Sequence, residues 1–152
     1  MNEALQEVLD TAIYQEVASQ AVYRAAQTQT DDPAAIELLK ELEAEEVKHA
    51  AWLKDLRESG AAGETKCYPE RIPNLKLSDF LSAPETLNRA GLQETLAFAI
   101  KREQAAIDFY SRLMGTLPDA QAKDLCECLV QDELKHKHKL ELYYEALFLK
   151  EG

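Results

Sequence analysis

Glu45-Glu46-Val47-Lys48-His49 and, 87 residues further along, Asp132-Glu133-Leu134-Lys135-His136 are two versions of one pattern: an acid, a glutamate, and a histidine three places after the glutamate. Residues three apart share a helix face, so each Glu-x-x-His can aim a carboxylate oxygen and an imidazole nitrogen at one point. The neighbours are helical in period. Leu39, Leu42, Glu46, His49, Leu53, Leu56 and Leu125, Leu129, Glu133, His136, Leu140, Tyr143 recur every three, four or seven residues, as on an amphipathic helix. The polar pairs therefore lie inside apolar stripes.

The same shift of 87 lays Leu5, Ala12, Glu16 and Tyr23 on Leu92, Ala99, Glu103 and Tyr110. The chain is an internal duplication, and the repeat retains polar residues that surface drift would have scrambled. In each half a glutamate precedes the Glu-x-x-His by 30 residues. From Glu16 to the turn near residue 30, and from Pro33 back to Glu46, are nearly equal climbs of roughly 21 Å at 1.5 Å per residue, so both glutamates finish at one height. Asp31-Asp32-Pro33 supplies a capping acid and a helix-starting proline, and Gly115 to Pro118 breaks the second half.

Four long helices are expected, over 3–29, 33–58, 91–115 and 118–149, forming two hairpins, 3–58 and 91–149, of a single all-α domain, 1–152. Most of the Gly and Pro fall between Gly60 and Gly91, and in the crossover, 59–90, short helices are expected around Ser78 to Leu81 and Pro84 to Arg89.

Lys and Arg number 17 against 28 Asp and Glu, so the surface repels a nucleic-acid backbone and favours cations. No apolar run approaches the roughly 18 residues of a membrane span. Met1 leads straight into a polar, helix-period segment with no secretory pattern, and a reducing cytoplasm is the expected location. The three cysteines, Cys67, Cys126 and Cys128, form no C-x-x-C and are odd in number, which argues against a disulfide framework. Cys67 reads as a linker thiol, His138 as a surface residue and Trp52 as core. The tail from Leu140 to Leu149 is apolar on more than one face, as a contact between copies would be.

Four glutamates and two histidines converging in a core suggest metal. Four carboxylates carry about four negative charges, which two divalent ions cancel, and hard oxygen with one imidazole per metal suits iron or manganese. A structural zinc would prefer cysteine. Each Glu-x-x-His alone is common in Glu-rich helices; the matched upstream glutamates make the set specific. Di-iron carboxylate bundles as a class take one Glu from each of two helices and a Glu-x-x-His from each of the other two, and the six residues here match that known arrangement.

Ala12-Ile13-x-x-Glu16 to Tyr23, Glu46-x-x-His49, Ala99-Ile100-x-x-Glu103 to Tyr110 and Glu133-x-x-His136 resemble the rubrerythrin-type, ferritin-like di-iron carboxylate family over nearly the whole chain. The resemblance implies two iron ions per chain, with manganese or a mixed iron/zinc pair as alternatives. It makes Glu16 and Glu103 the single-helix ligands, Glu46 and Glu133 the bridges, and His49 and His136 one imidazole per metal. It also implies that Asp132 bonds His49 and Glu45 bonds His136, each being otherwise a solvent-facing acid. Tyr23 and Tyr110 would bond ligand carboxylates across the bundle or serve as core tyrosines.

Two departures stand out. No rubredoxin tail is read, so electrons would come from a separate donor such as a rubredoxin-like protein. Rubrerythrins carry an extra Glu three residues after the third-helix ligand, where this chain has Ala106, which puts their redox-linked iron movement in doubt. The expected function is an oxidoreductase of peroxidase or ferroxidase type that reacts with hydrogen peroxide or O2, in a homodimer or larger homo-oligomer, without nucleic acid or membrane. The alternatives are iron storage with ferroxidase activity and a di-iron substrate oxygenase.

Overall fold

The structure is a computed structural model that describes residues 2–60, 62, 67 and 71–149. It is an all-α, ferritin-like four-helix bundle: α1 (Glu3–Ala26), α2 (Pro33–Ser59), α3 (Leu92–Thr116) and α4 (Ala120–Tyr144). α1 lies along α2 and α3 along α4. Local chemistry sets the ends. The Asn2 side chain accepts from the Leu5 N–H at 2.8 Å, Asp32 accepts from Ala34 with Pro33 behind it, and Asp119 accepts from Ala122; such caps satisfy amides that have no partner within the helix. α2 stops at Gly60, whose φ of 71° is cheap only for glycine.

Two apolar clusters fill the bundle. One gathers Leu39, Leu42, Leu96, Ile100 and Leu140; the other gathers Leu5, Leu9, Leu53, Leu125 and Leu129. Truncating any of these leucines to alanine would cost about 2–5 kcal/mol. Glu16, Glu46, Glu103 and Glu133 are buried in the same helices, at stripe positions between those of the two clusters.

The crossover corrects several expectations. Leu77–Asp79 forms one 3-10 turn, but 84–89 is not helical. Arg89 is left-handed, φ 52°, and Ala90 is tied to the first hairpin's turn by its N–H to Gln29 O and by the Thr30 hydroxyl, which donates to its carbonyl. Segment 74–78 is clamped from beneath. The buried Lys137 ammonium donates to Asn74 and Gln104, both at 2.7 Å, Lys101 donates to Ser78 O, and the buried Glu141 carboxylate accepts from the Leu75 and Leu77 amides.

Cys67 is not a free linker thiol. It is disulfide-bonded to Cys128, their Cα atoms 5.1 Å apart, and the odd cysteine is the buried Cys126. The odd count fixed only that one thiol would be left over.

At the C-terminal end α4 loosens into a π-turn, Glu145–Leu149, in place of a helix running to 149. Leu140 and Tyr144 turn inward, with Phe148 against Tyr144, while Leu142, Tyr143, Leu147 and Leu149 face outward. His138 is half-buried. Trp52 is 38% exposed and so is not core; its ring stacks on His49 with centroids 5.7 Å apart.

Candidate metal centre

α1 supplies Glu16, α2 Glu46 and His49, α3 Glu103, and α4 Glu133 and His136. They form two overlapping sets, each with its ligand atoms within 4.8 Å of one another: Glu16, Glu46, His49, Glu133, and Glu46, Glu103, Glu133, His136. Glu46 and Glu133 belong to both sets and Glu16 and Glu103 to one each, which is how bridging and terminal ligands of a metal pair would be distributed. Both imidazoles turn Nδ1 inward. His49 Nδ1 is 3.1 Å from Glu16 and 3.7 Å from Glu133, and His136 Nδ1 is 3.9 Å from Glu133.

The surrounding contacts cross between hairpins. Tyr23 donates to Glu103 at 3.1 Å and Tyr110 to Glu16 at 3.3 Å. Asp132 is 3.2 Å from His49 Nε2 and Glu45 is 3.7 Å from His136 Nε2. A carboxylate behind the outer nitrogen orients an imidazole and raises its basicity toward a metal.

The protein atoms do not satisfy one another. Glu16 Oε2, both nitrogens of His49 and His136 Nδ1 are buried without a well-directed hydrogen bond, the 3.1 Å contact of His49 with Glu16 being an ion-pair distance rather than an aligned bond. Buried polar atoms without partners are costly, and divalent cations would take up the lone pairs of Glu16 Oε2 and of the two inward Nδ1 atoms, leaving the outer His49 Nε2 to face Asp132.

Electrostatics points the same way. Burial, with the Glu103, Glu16 and Glu46 carboxylates nearby, pushes Glu133 well up, and burial with the Glu16 contact does the same to Glu46. Burial also opposes ionisation of Glu16, but contacts with His49, Glu46 and Glu133 outweigh it and hold Glu16 down. Burial works against His49 too, yet Glu16 and Asp132 raise it. Burial and adjacent carboxylates raise both tyrosines, which therefore stay phenols that donate. Burial thus sets Glu46 and Glu133 against ionising beside Glu16, and two divalent ions would remove that penalty. The donor set fits a pair of metals.

Among the described residues, a cavity and a groove reach this layer. A cavity of about 180 Å³ runs between α1 and α3, touching Glu16, Ser19, Arg102, Glu103, Ala106 and Glu133. A larger, mostly apolar groove of about 660 Å³ lies between α2 and α4, walled by Leu38, Leu42, Leu140 and Tyr143 with Glu45 and His136 in its lining. Ser19 and Arg102 escaped the reading from sequence. Arg102 stands next to Glu103, and that adjacency was the available signal.

A family model for rubrerythrin matches residues 7–144. The chain belongs to the rubrerythrin family. It is also similar to the 3-demethoxyubiquinol 3-hydroxylases of Bordetella parapertussis (strain 12822) and Bordetella bronchiseptica (strain RB50), at 30% identity over 129 residues in each case. The match takes in 83% of this chain and 55% of each hydroxylase, so the chain spans about half the length of these relatives. Among solved structures it resembles Hypothetical Protein Pfu-1136390-001 from Pyrococcus furiosus, with a TM-score of 0.56 and 25% identity, over 95% of this chain and 90% of that one. Rubrerythrin membership and the distant hydroxylases together support a di-iron oxidase type of function. No described helix is long and apolar enough to cross a membrane.

Proposed function

We propose that this chain is an oxidoreductase that holds two iron ions through Glu16, Glu46, His49, Glu103, Glu133 and His136 and reduces hydrogen peroxide or O2 there. The observation that carries the reading is the pair of overlapping ligand sets sharing Glu46 and Glu133. Bound iron would supply Lewis acidity and electrons. The chain's own residues do the rest. Asp132 and Glu45 orient the imidazoles, Tyr23 and Tyr110 steady the terminal carboxylates, and the cavity beside Ala106 has room for a few small molecules such as water or peroxide. Electrons come from a separate donor, and the outward-facing tail is where copies of the chain would meet.

The test is anaerobic ferrous loading, elemental analysis, and then peroxide or air in a stopped-flow spectrometer. About two irons per chain and their rapid oxidation are expected. Iron content near zero would overturn the reading.

A second reading, a substrate oxygenase, is favoured by the apolar groove beside His136. It gains if an apolar phenol or quinol leaves the reaction carrying an oxygen atom from labelled O2, and loses if O2 is consumed with the additive unchanged.

A further inference from the structure

Nothing in the metal centre explains the cysteines. Cys67 on the crossover is bonded to Cys128 on α4, and Cys126, buried beside it in sequence, is a thiol that burial pushes up to about 11. A bond in this place is either a staple or a redox couple.

Two features favour a couple. From residue 74 onward the crossover is anchored without it: Lys137, Glu141 and Lys101 grip 74–78, and Thr30 and Gln29 hold Ala90. Breaking the disulfide leaves those bonds in place. The second feature is its address. Cys128 stands four residues before Asp132 on one face of α4, about 6 Å along the axis, and Asp132 is in contact with His49. Cys67 is only half-buried, so an external reductant can approach the bond from outside. The disulfide thus lies at the outer end of a short run of neighbours that ends on a candidate ligand.

We propose that Cys67 and Cys128 are a dithiol–disulfide couple that delivers two electrons to the metal centre, recharged by a dithiol reductant. This rests on the peroxide-reducing reading above and deepens it by naming the donor's chemistry as a dithiol instead of a one-electron iron protein. The balance closes. For each peroxide the O–O bond breaks and two waters form, while two S–H bonds break and one S–S bond forms. The sulfurs lose two electrons, the peroxide oxygens gain them, and the two thiol protons complete the waters. Recharging transfers the disulfide bond to the external dithiol, which gives up two electrons and two protons.

The test uses iron-loaded protein reduced with a dithiol, desalted without air, and given one equivalent of peroxide. Samples are quenched in denaturant with an alkylating agent for thiol counting by mass spectrometry, while iron oxidation is followed by absorbance. An ordinary thiol is only a few per cent thiolate at pH 7 and reacts slowly unaided. Disulfide formation between Cys67 and Cys128 is therefore expected to run about tenfold or more faster with iron than without, with Cys126 alkylated throughout. Cys67→Ser, which leaves the α4 side of the bond in place, is expected to keep its helical circular dichroism and its first iron oxidation but to lose repeated turnover on dithiol. Equal disulfide rates with and without iron, while iron is oxidised, would overturn the couple and leave the metal reading standing. So would a disulfide that resists dithiol in the folded protein. Iron that peroxide fails to oxidise would overturn both.

Discussion

The two half-sites come from one duplicated pattern yet live in different surroundings. His49 is 5% exposed in its side chain, has Asp132 at 3.2 Å and is covered by Trp52. His136 is 23% exposed, has Glu45 at 3.7 Å and lines the α2/α4 groove. Counting 87 residues from Trp52 leads to Lys139. Where one half stacks an indole on its imidazole, the other carries an ammonium that stands 3.8 Å from Glu45 and borders the groove. The lesson is that duplication fixed the six inward groups, while change at positions outside them closed one side and opened the other.

The largest effect tests what the halves share. Glu46→Ala or Glu133→Ala removes a carboxylate common to both sets, so iron content is expected to fall from about two per chain to near zero. Elemental analysis checks this, and a loss of one metal only would mean that the sets are independent.

Stripping the metal comes next. Glu46, Glu133 and His49 in the folded apo protein have raised affinity for protons, so the native state binds more protons than the unfolded chain. Apo stability is then greatest near and below the ordinary carboxylate range and is lost as pH climbs toward the folded values, by at most about 1.4 kcal/mol per pH unit for each retained proton. Glu16, held down, contributes the opposite slope only in the acid range. Denaturant unfolding at pH 5 and pH 8 should show the apo protein weaker at pH 8 and the metal-loaded protein stronger than apo at both. Equal apo stability would place these carboxylates in water.

The acids behind the histidines separate the halves. Loss of such a partner lowers metal affinity by about 10- to 100-fold, and Asp132→Ala should lie at the upper end with Glu45→Ala at the lower. Equal losses, read by metal titration, would erase the asymmetry.

Ala106, the counterpart of Ser19 in the repeat, offers no carboxylate in exchange for imidazole. Both metals should stay beside their own histidines in oxidised and reduced crystals, and Ala106→Glu should allow one to shift. A shift without that substitution counts against this account of Ala106. The smallest effect concerns the covering groups. Trp52→Ala should cost about 0.5–1.5 kcal/mol beyond lost area, whereas Lys139→Ala should change denaturant stability by less than about 0.5 kcal/mol.

The bundle was legible because its signals are local and repeated. Asp32-Pro33 and Gly60 mark ends, and polar residues standing at fixed places inside apolar stripes mark the inward layer. What escaped depends on the crossover's path, which has no period to read. Lys137 and Glu141 look like solvated charges until segment 74–78 lies over them. Cys67 can find Cys128 only once that path is known, and residues 84–89 have helix-like composition but end on a left-handed Arg89. Trp52 reads as core because it follows His49 by three residues, but its ring covers that imidazole from the outer side and stays 38% exposed.

The tie between Gln29 and Ala90 acts as a datum line. Gln29 and Ala90 each lie 13 residues from a glutamate, Glu16 and Glu103 respectively. Two helices measured from one mark by equal counts, roughly 20 Å each, bring their carboxylates level without any contact between those carboxylates having to enforce it. One inserted residue on either side would displace its glutamate by about 1.5 Å and swing it by about 100°. The alignment of the carboxylate layer is thus kept by counting, from a turn well away from the layer itself.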